Sequence, residues 1–263
     1  MEKFKDKVIW ITGASSGIGE ALAIQLAQAG ARLIISARNR EALELIKERC
    51  AAATVEVLPM DLERGDEMPL KVEWVLKHFG SIDILINNAG ISQRSLTQET
   101  SSAVYRKLME VNFFGTEQLT RLVIPHFLVK NQGVFVTMSS LAGQLGLPLR
   151  SGYCASKCAI EGFFAVLRSE LWKTKIHILV VRSGAVKTSI SRNALLGDGR
   201  RHEETDSLIE NGILPEACAK EIIKAIVARK KQLITGSFKE KLLLSVSRFY
   251  PSIAFNLIKK LTP

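Results

Sequence analysis

Short apolar runs alternate along this chain with longer segments in which apolar residues recur every three or four positions. The runs fall near residues 8–12, 32–36, 54–59, 82–86, 133–138, 176–182 and 232–235. Their length and their content of Val, Ile and Leu suit strands covered on both faces of a sheet. Between the first two runs, residues 20–30 read as a helix that stops at Gly30, a residue that tolerates the left-handed backbone at a helix end. Strand and helix alternate in this way up to about residue 190. Such an order predicts parallel strands joined by right-handed crossovers. The expectation is an α/β fold in a single domain, 1–263, with a doubly wound parallel sheet of about seven strands and helices on both faces.

Composition agrees with that picture. Hydrophobic residues make up 47% of the 263 positions, enough for one large core. No apolar run reaches the ~18 residues that a transmembrane helix needs. Met1 to Lys7 leads directly into the first strand, so no signal peptide is expected. The expected location is cytoplasmic, at most peripheral to a membrane. Cysteines 50, 154, 158 and 218 show no metal-binding spacing, and histidines 78, 126, 177 and 202 form no cluster, so no metal is assigned. Cys154 and Cys158 read as small packing residues on one helix; the alternative is a redox-sensitive thiol beside Tyr153.

The first strand runs into Thr12-Gly13-Ala14-Ser15-Ser16-Gly17-Ile18-Gly19 and then into a helix. A strand, a glycine-rich turn and a helix in that order form the context of a Rossmann dinucleotide site. Gly13 allows a sharp turn, Gly17 a close approach to a pyrophosphate, and Gly19 tight helix–strand packing. Free N–H groups at the helix start, around Ser15, Ser16 and Ile18, would then face the phosphates. An ordinary βα turn would not need three glycines. After the second strand the chain reads Ser36-Ala37-Arg38-Asn39-Arg40, with no acidic residue to hold a ribose 2′-hydroxyl. A guanidinium there can grip a 2′-phosphate. Arg38, helped by Ser15 or Ser36, therefore predicts NADP(H); the alternative is that Arg38 and Arg40 are solvated loop charges. Asp61, followed by Leu62, either accepts from the adenine amino group or caps the next turn.

Tyr153 and Lys157 stand four apart, so a helix places them on one face. A phenol titrates near pH ~10, and a nearby cation draws it toward the working range. The pair is a candidate proton-transfer device. On its own the spacing also describes a ring packed under a solvated lysine. Taken with the glycine loop, the chain resembles the short-chain dehydrogenase/reductase family over roughly residues 5–190. Asn87-Asn88-Ala89-Gly90 matches the family motif that steadies the sheet and flanks the adenosine. Asn112 matches its structural and relay asparagine. Ser140, thirteen residues before Tyr153, matches the catalytic serine. The resemblance implies a catalytic set of Asn112, Ser140, Tyr153 and Lys157 acting on a carbonyl/alcohol pair. Tyr153 would exchange the proton, Ser140 would hold the substrate oxygen, and Lys157 would bind the nicotinamide ribose and lower the Tyr153 pKa. Asn112 would hold a water linking Lys157 to solvent. Asn88, Ala89, Gly90, Gly184, Val186 and Thr188 would join the cofactor contacts. The alternative reading is a cofactor-sensing protein without catalysis, since a fold does not fix a function.

One departure from the family is Ser183, which stands where it usually has proline before Gly184. Loss of the fixed φ predicts a less rigid turn at the nicotinamide end. Beyond about 189 the resemblance thins. Residues 189–215 form the expected substrate lid, with 191–200 read as a mobile segment containing Gly197 and Gly199; an ordinary connector is the alternative. Substrate-pocket candidates are Ser140, Tyr153, Gln144, Leu147 and Arg94, with Ser92, Gln93, Leu141, Arg150 and Ala185 nearby. Leu141, Leu147 and Leu195 suit an apolar substrate, whereas Arg94 or Arg150 would receive an anionic one.

The net charge is +10, and residues 220–263 hold ten Lys or Arg against two Glu. Mixed with Leu242 to Leu244 and the apolar stretch 249–258, that charge makes 238–263 a basic amphipathic tail suited to an anionic membrane surface. A helix packed on its own domain or across a dimer is the alternative. The tail and the Gly90–Ser95 stretch also resemble a membrane-associated branch of the family acting on steroid, retinoid or other lipophilic carbonyls. No nucleic-acid motif accompanies the charge. The family implies a homodimer or homotetramer. Apolar Ile160, Phe163, Phe164, Val166 and Leu167 exceed what one helix face needs to cover a sheet.

Overall fold

A computed structural model describes residues 2–50 and 53–259. Seven parallel strands form one sheet: β1 (Val8–Thr12), β2 (Arg32–Ser36), β3 (Val55–Val57), β4 (Ile84–Asn87), β5 (Gly133–Ser140), β6 (Ile176–Ser183) and β7 (Gln232–Thr235). Their order across the sheet is β3-β2-β1-β4-β5-β6-β7. Register is fixed by neighbours on both sides of the centre: Ile11 of β1 pairs with Ile35 and with Ile86. The third strand ends at Val57, short of the expected 54–59, but Leu58 N–H still donates to Ile35 O and Met60 N–H to Ala37 O, both at 3.0 Å, while Pro59 faces the free edge of the sheet.

Successive strand residues face opposite layers. Ile9 and Ile11 pack with Leu33 and Ile35 beneath α1 (Gly17–Gln28), α2 (Arg40–Arg49) and α8 (Pro215–Val227), against Leu22, Leu43 and Ile222. Val8, Trp10 and Leu85 face α3 (Met68–Phe79), α5 (Gly115–Lys130) and α6 (Ser151–Glu170), against Val72, Val123 and Phe164. Each such aliphatic or aromatic side chain contributes roughly 1.5–3 kcal/mol. A one-residue slip of any strand would exchange its two faces, so the register is strongly specified.

Between α4 (Ser102–Met109) and α5 lies a single π-helical turn, Glu110–Phe114, and Asn112 sits in it. The chain after β6 crosses the top of the sheet, forms the short α7 (Ser207–Glu210), and returns through α8 and β7. It ends in α9 (Phe238–Phe249) and α10 (Pro251–Ile258). A capping box of Ser237 and Glu240 starts α9. No helix among the described residues is long and apolar enough to cross a membrane.

The 191–200 stretch is tied down rather than free. Leu195 N–H donates to Ser92 O at 2.8 Å, and Arg94 N–H donates to Leu195 O at 2.8 Å. Ala194 and Leu195 are buried. A Cβ on Gly197 would lie 2.1 Å from Glu99 O, so this glycine serves close backbone approach and not hinge motion.

Candidate active site

Strand order reverses between β1 and β4, and loops from their carboxyl ends part there. That is where open α/β sheets form a crevice. A cleft of about 740 Å³ opens at this point. It runs from Arg38 and Asp61, past Gly13 and Gly17, to Tyr153, Lys157 and Leu195.

The middle of the cleft is made of backbone. Gly13 and Gly17 have φ of +64° and +60°, a region that L side chains rarely enter. A Cβ on Gly19 would lie 2.2 Å from Gly13 O, and one on Gly17 would lie 2.8 Å from Thr188 Cγ2. Asn88 stitches the turn to β4: its Nδ2 donates to Thr12 O and Gly13 O at 3.0 Å each. Thr12 Oγ1 accepts from Asn88 N–H and Ala89 N–H. At the start of α1, Ser16 makes no side-chain cap bond. The first amides of a helix are then left to face the cleft. This donor set fits a pyrophosphate. Ser15, Ser16, Ile18, Ala89 and Gly90 line the same space.

At the far end Arg38 is exposed, with Glu63 4.0 Å from its guanidinium. Lys107 pairs more closely with Glu63, at 3.2 Å, and adds a cation that sequence reasoning missed. Ser36 lines the same end of the cleft, and its buried hydroxyl accepts the Trp10 indole N–H at 2.9 Å. Asp61 Oδ1 accepts from Glu63 N–H at 3.1 Å, so it does form the turn. Asp61 and the buried Leu62 also line the cleft.

At the other end β5 delivers Ser140, and the first turns of α6 deliver Tyr153 and Lys157. Ser140 Oγ accepts from Ala142 N–H at 3.1 Å, which orients it at the strand end. Lys157 is buried, and its Nζ donates to Met138 O at 2.8 Å and stands 5.7 Å from the Tyr153 ring centre. Burial brings the lysine down to about 8, with Glu161 opposing. Burial pushes the Tyr153 phenol up, while Ser140, Arg94 and Arg150 favour its charged form. Burial outweighs these groups, and Lys157 stands beside the ring as a further cation. Asn112 also differs from expectation. Its Oδ1 accepts from Ile91 N–H at 2.8 Å and its Nδ2 donates to Ile91 O and Ser156 Oγ at 2.9 Å. The side chain locks the Ile91 loop to α6.

Several substrate and cofactor candidates lie elsewhere. Arg94 and Arg150 are both engaged by Asp206, so neither is a free anion receptor. Gln93 is buried and holds Gly152 N–H at 2.8 Å, fixing the start of α6. Gln144 is exposed and Leu147 half-buried; neither lines the main cleft. Val186 turns into the core, while Thr188 does line the cleft. Gly184 is not loosened by the missing proline. Its N–H donates to Thr235 O at 3.0 Å, and Glu240 Oε1 accepts from Ala185 N–H at 2.6 Å. The Ser-x-x-Glu pattern at 237–240 signals a helix start, but nothing local announces that Glu240 reaches back to β6.

All four cysteines are free thiols, with Cys154 and Cys158 facing carbonyls of Leu145 and Gly143. On α6, Ile160, Phe164 and Leu167 serve the core, Phe163 is half-buried, and Val166 is exposed.

The family profile for short chain dehydrogenases matches residues 7–197. Dehydrogenase/reductase SDR family member 7 of Homo sapiens is 47% identical over 201 residues, covering 73% of this chain and 59% of that protein. The chain thus spans about three fifths of the human relative's length. Dehydrogenase/reductase SDR family protein 7-like of Anopheles gambiae is 36% identical over 261 residues, covering 97% and 82%. Among solved structures, a short-chain dehydrogenase from Streptomyces avermitilis superposes with a TM-score of 0.83 at 28% identity, covering 99% and 98%. A short chain dehydrogenase/reductase from Burkholderia phymatum, in complex with NAD, gives 0.85 at 23% identity and 96% coverage of each chain. With its single seven-stranded sheet, its glycine-lined cleft and a tyrosine and lysine at one end of it, the chain belongs to the short-chain dehydrogenase/reductase family of oxidoreductases.

Proposed function

We propose that the protein is an NADP(H)-dependent oxidoreductase acting on a lipophilic carbonyl/alcohol pair. The observation that carries the catalytic reading is the meeting of Tyr153 and Lys157 at one end of a cleft whose middle is built of glycine backbone, with Ser140 at the end of β5 beside the phenol. Arg38 and Lys107 at the other end favour a cofactor bearing an extra phosphate. The nicotinamide cofactor, when bound, supplies or accepts the hydride. Tyr153 gives its proton to the carbonyl oxygen in reduction and takes one from the alcohol in oxidation. Ser140 donates to the same oxygen and steadies its developing charge. Lys157, poised near neutrality, holds a proton close to the phenol and presents an ammonium to the cofactor ribose. Asn112 keeps α6 and the Ile91 loop in register beneath them.

The lipophilic reading is supported by Ile91 and Leu195, apolar side chains that line the cleft. Leu141, Leu145 and Leu147 form a separate apolar wall with Leu244 and Ile258 of the tail. The tail's other face is unusual. Phe238, Phe249, Tyr250, Ile253 and Phe255 are exposed among Lys239, Lys241, Arg248 and Lys259. An apolar crest with a basic rim suits peripheral contact with an anionic bilayer. Deleting 238–263 would also remove Glu240 and Leu244 from the site, so Phe249→Ser with Phe255→Ser is the cleaner test of vesicle binding. Exposed Phe114 and Val166 on the π-turn and α6 suit a homodimer contact. Light scattering at micromolar concentration tests it, and a monomer refutes it.

The function itself is tested by turnover with NADPH or NADH against a panel of ketones, aldehydes, steroids and retinoids. NADPH oxidation well ahead of NADH, with a lipophilic substrate, is the expected result. NADH preference would remove the Arg38 argument and leave the catalytic one standing.

A further inference from the structure

Two guanidiniums converge beside the tyrosine on a single carboxylate. Arg94 reaches Asp206 Oδ2 through Nε at 2.7 Å and also through Nη2. Arg150 reaches the same oxygen through Nη2 at 3.1 Å. Further donors are used as well: Arg94 Nη1 bonds Ser92 Oγ at 3.0 Å and Gln93 O at 2.6 Å, and Arg150 Nη1 bonds Pro148 O at 3.0 Å. The Arg94 side chain is 4% exposed, Arg150 16% and Asp206 21%. Two cations against one anion leave a net positive charge in a poorly hydrated place, where charge acts over longer range than in water. Arg150 lies at the helix start three residues before Tyr153, and Arg94 follows Gln93, which holds the first turn of that helix. Asp206 arrives from the opposite side. It stands in the segment after β6 that pairs with Gln93 through Leu195, and its N–H donates to Ser191 Oγ at 3.0 Å.

We propose that Arg94, Arg150 and Asp206 form a positioning cluster for Tyr153, in which the arginines favour the phenolate and Asp206 sets how much of their charge the phenol feels. The proposal rests on Tyr153 being the acid–base group of the reaction above. Other groups face the phenol as well. Lys157 and Cys154 share its helix, and Ser140 comes from β5. Glu161, one turn beyond Lys157, acts on that lysine. Burial brings Lys157 down to about 8 and also lowers Arg150, but from a far higher ordinary value. Above pH 8 the two arginines are therefore the cations that remain beside Tyr153. The coupling is mutual: Tyr153 and Asp206 both sustain the charge on Arg150 against burial and Arg94.

The test titrates the phenol itself. The chain has three tyrosines, so tyrosinate absorbance of the full chain minus that of Tyr153→Phe isolates Tyr153. Asp206→Asn removes the anion and keeps a similar shape; the Tyr153 midpoint should fall by about half a pH unit or more. Arg150→Gln removes a cation, and the midpoint should rise by a similar amount. Arg150→Lys, which keeps the charge, should return it toward the parent value. A merely structural latch would lower the melting temperature in both variants and leave the midpoints together, and that result overturns the proposal. Midpoints that move in the same direction overturn it too. If Asp206→Asn does not fold, the Arg150→Gln and Arg150→Lys pair carries the test by itself. Turnover surviving in Tyr153→Phe would instead refute the catalytic reading, whatever the midpoints do.

Discussion

The glycine-loop end of the cleft is built from backbone, whereas its catalytic end is built from side chains delivered by distant segments. At Gly13, Gly17 and Gly19 the absence of a side chain is the functional feature, and all three lie within seven consecutive residues. At Tyr153 the working environment comes from β5, the Ser92–Ser95 loop, the chain around Asp206 and, through the Leu141–Leu147 wall, the C-terminal helices. The first end tolerates little substitution and draws on few remote side chains, chiefly Asn88 and Thr188. The second should be tunable from afar, and it is where relatives can differ in substrate without losing the cofactor.

The sharpest separation of the two ends is Tyr153→Phe. General acid–base assistance contributes about 10²–10⁴-fold, so kcat should fall by about 10³-fold. Cofactor affinity, measured by fluorescence titration, should stay within about threefold. A parallel loss of affinity would mean the ends are not independent.

Lys157→Met probes the catalytic end through stability. The lysine's folded pKa, about 8, lies below its ordinary value of 10.5. Between those values the unfolded chain binds more protons, so the wild type gains stability as pH rises through that window. Below pH 8 the penalty of burying the ammonium is fully present. Apo Lys157→Met should therefore be more stable than wild type at pH 7, by an amount on the order of a few kcal/mol less the lost Met138 bond. The gap should close on going from pH 8 to pH 10. Thermal unfolding across that range reads it; a constant gap would refute a depressed lysine.

These contrasts explain what could be read in advance. The strands, the alternation and the glycine loop are local signals, because apolar runs of period 2 and a left-handed turn leave their mark within a few residues. Tyr153 and Lys157 stand out through their spacing, and Asn112 and Ser140 through the family resemblance; their catalytic roles belong to the proposal. The ion pairing of Arg94 and Arg150 was not: it depends on Asp206, more than fifty residues from either. The same holds for Ser36, whose hydroxyl faces Trp10 across the β1–β2 pair, and for Gly197, whose role is set by Glu99. The missing proline at Ser183 misled for a related reason. Rigidity there comes from Thr235 and Glu240, which lie beyond the recognisable motif.

Smaller effects should map the backbone-built end. Gly17→Ala forces a side chain into φ +60° and against Thr188. It should cost about 1–2 kcal/mol from backbone strain and raise the cofactor Kd at least tenfold, about 1.4 kcal/mol. Arg38→Ser should leave NADH turnover intact and reduce the NADPH preference in kcat/KM by about tenfold, the worth of one charge-assisted contact. An unchanged preference would assign the selection to Lys107, and Lys107→Ser would then carry the loss.

Glu240 ties the C-terminal helices to the chain after β6, and its substitution is the mildest of the set. Its Oε2 accepts from Ser237 N–H and Ser237 Oγ at 2.8 Å each, while Oε1 holds Ala185 N–H beside the cofactor cleft. Gly184 and Gly236 leave it room; a Cβ on either would come within 2.8 Å of its carboxylate. Loss of a helix cap costs about 1 kcal/mol, and the stranded Ala185 amide adds to that. Glu240→Ala should lower stability by about 1–2 kcal/mol and raise the cofactor KM a few-fold with kcat nearly unchanged. Glu240→Gln keeps a carbonyl oxygen for Ala185 and should recover most of the KM. A stability loss without any change in KM would mean that α9 merely packs on the domain. Recovery by glutamine would mean that the C-terminal helices hold the nicotinamide end of the cleft in place through one hydrogen bond.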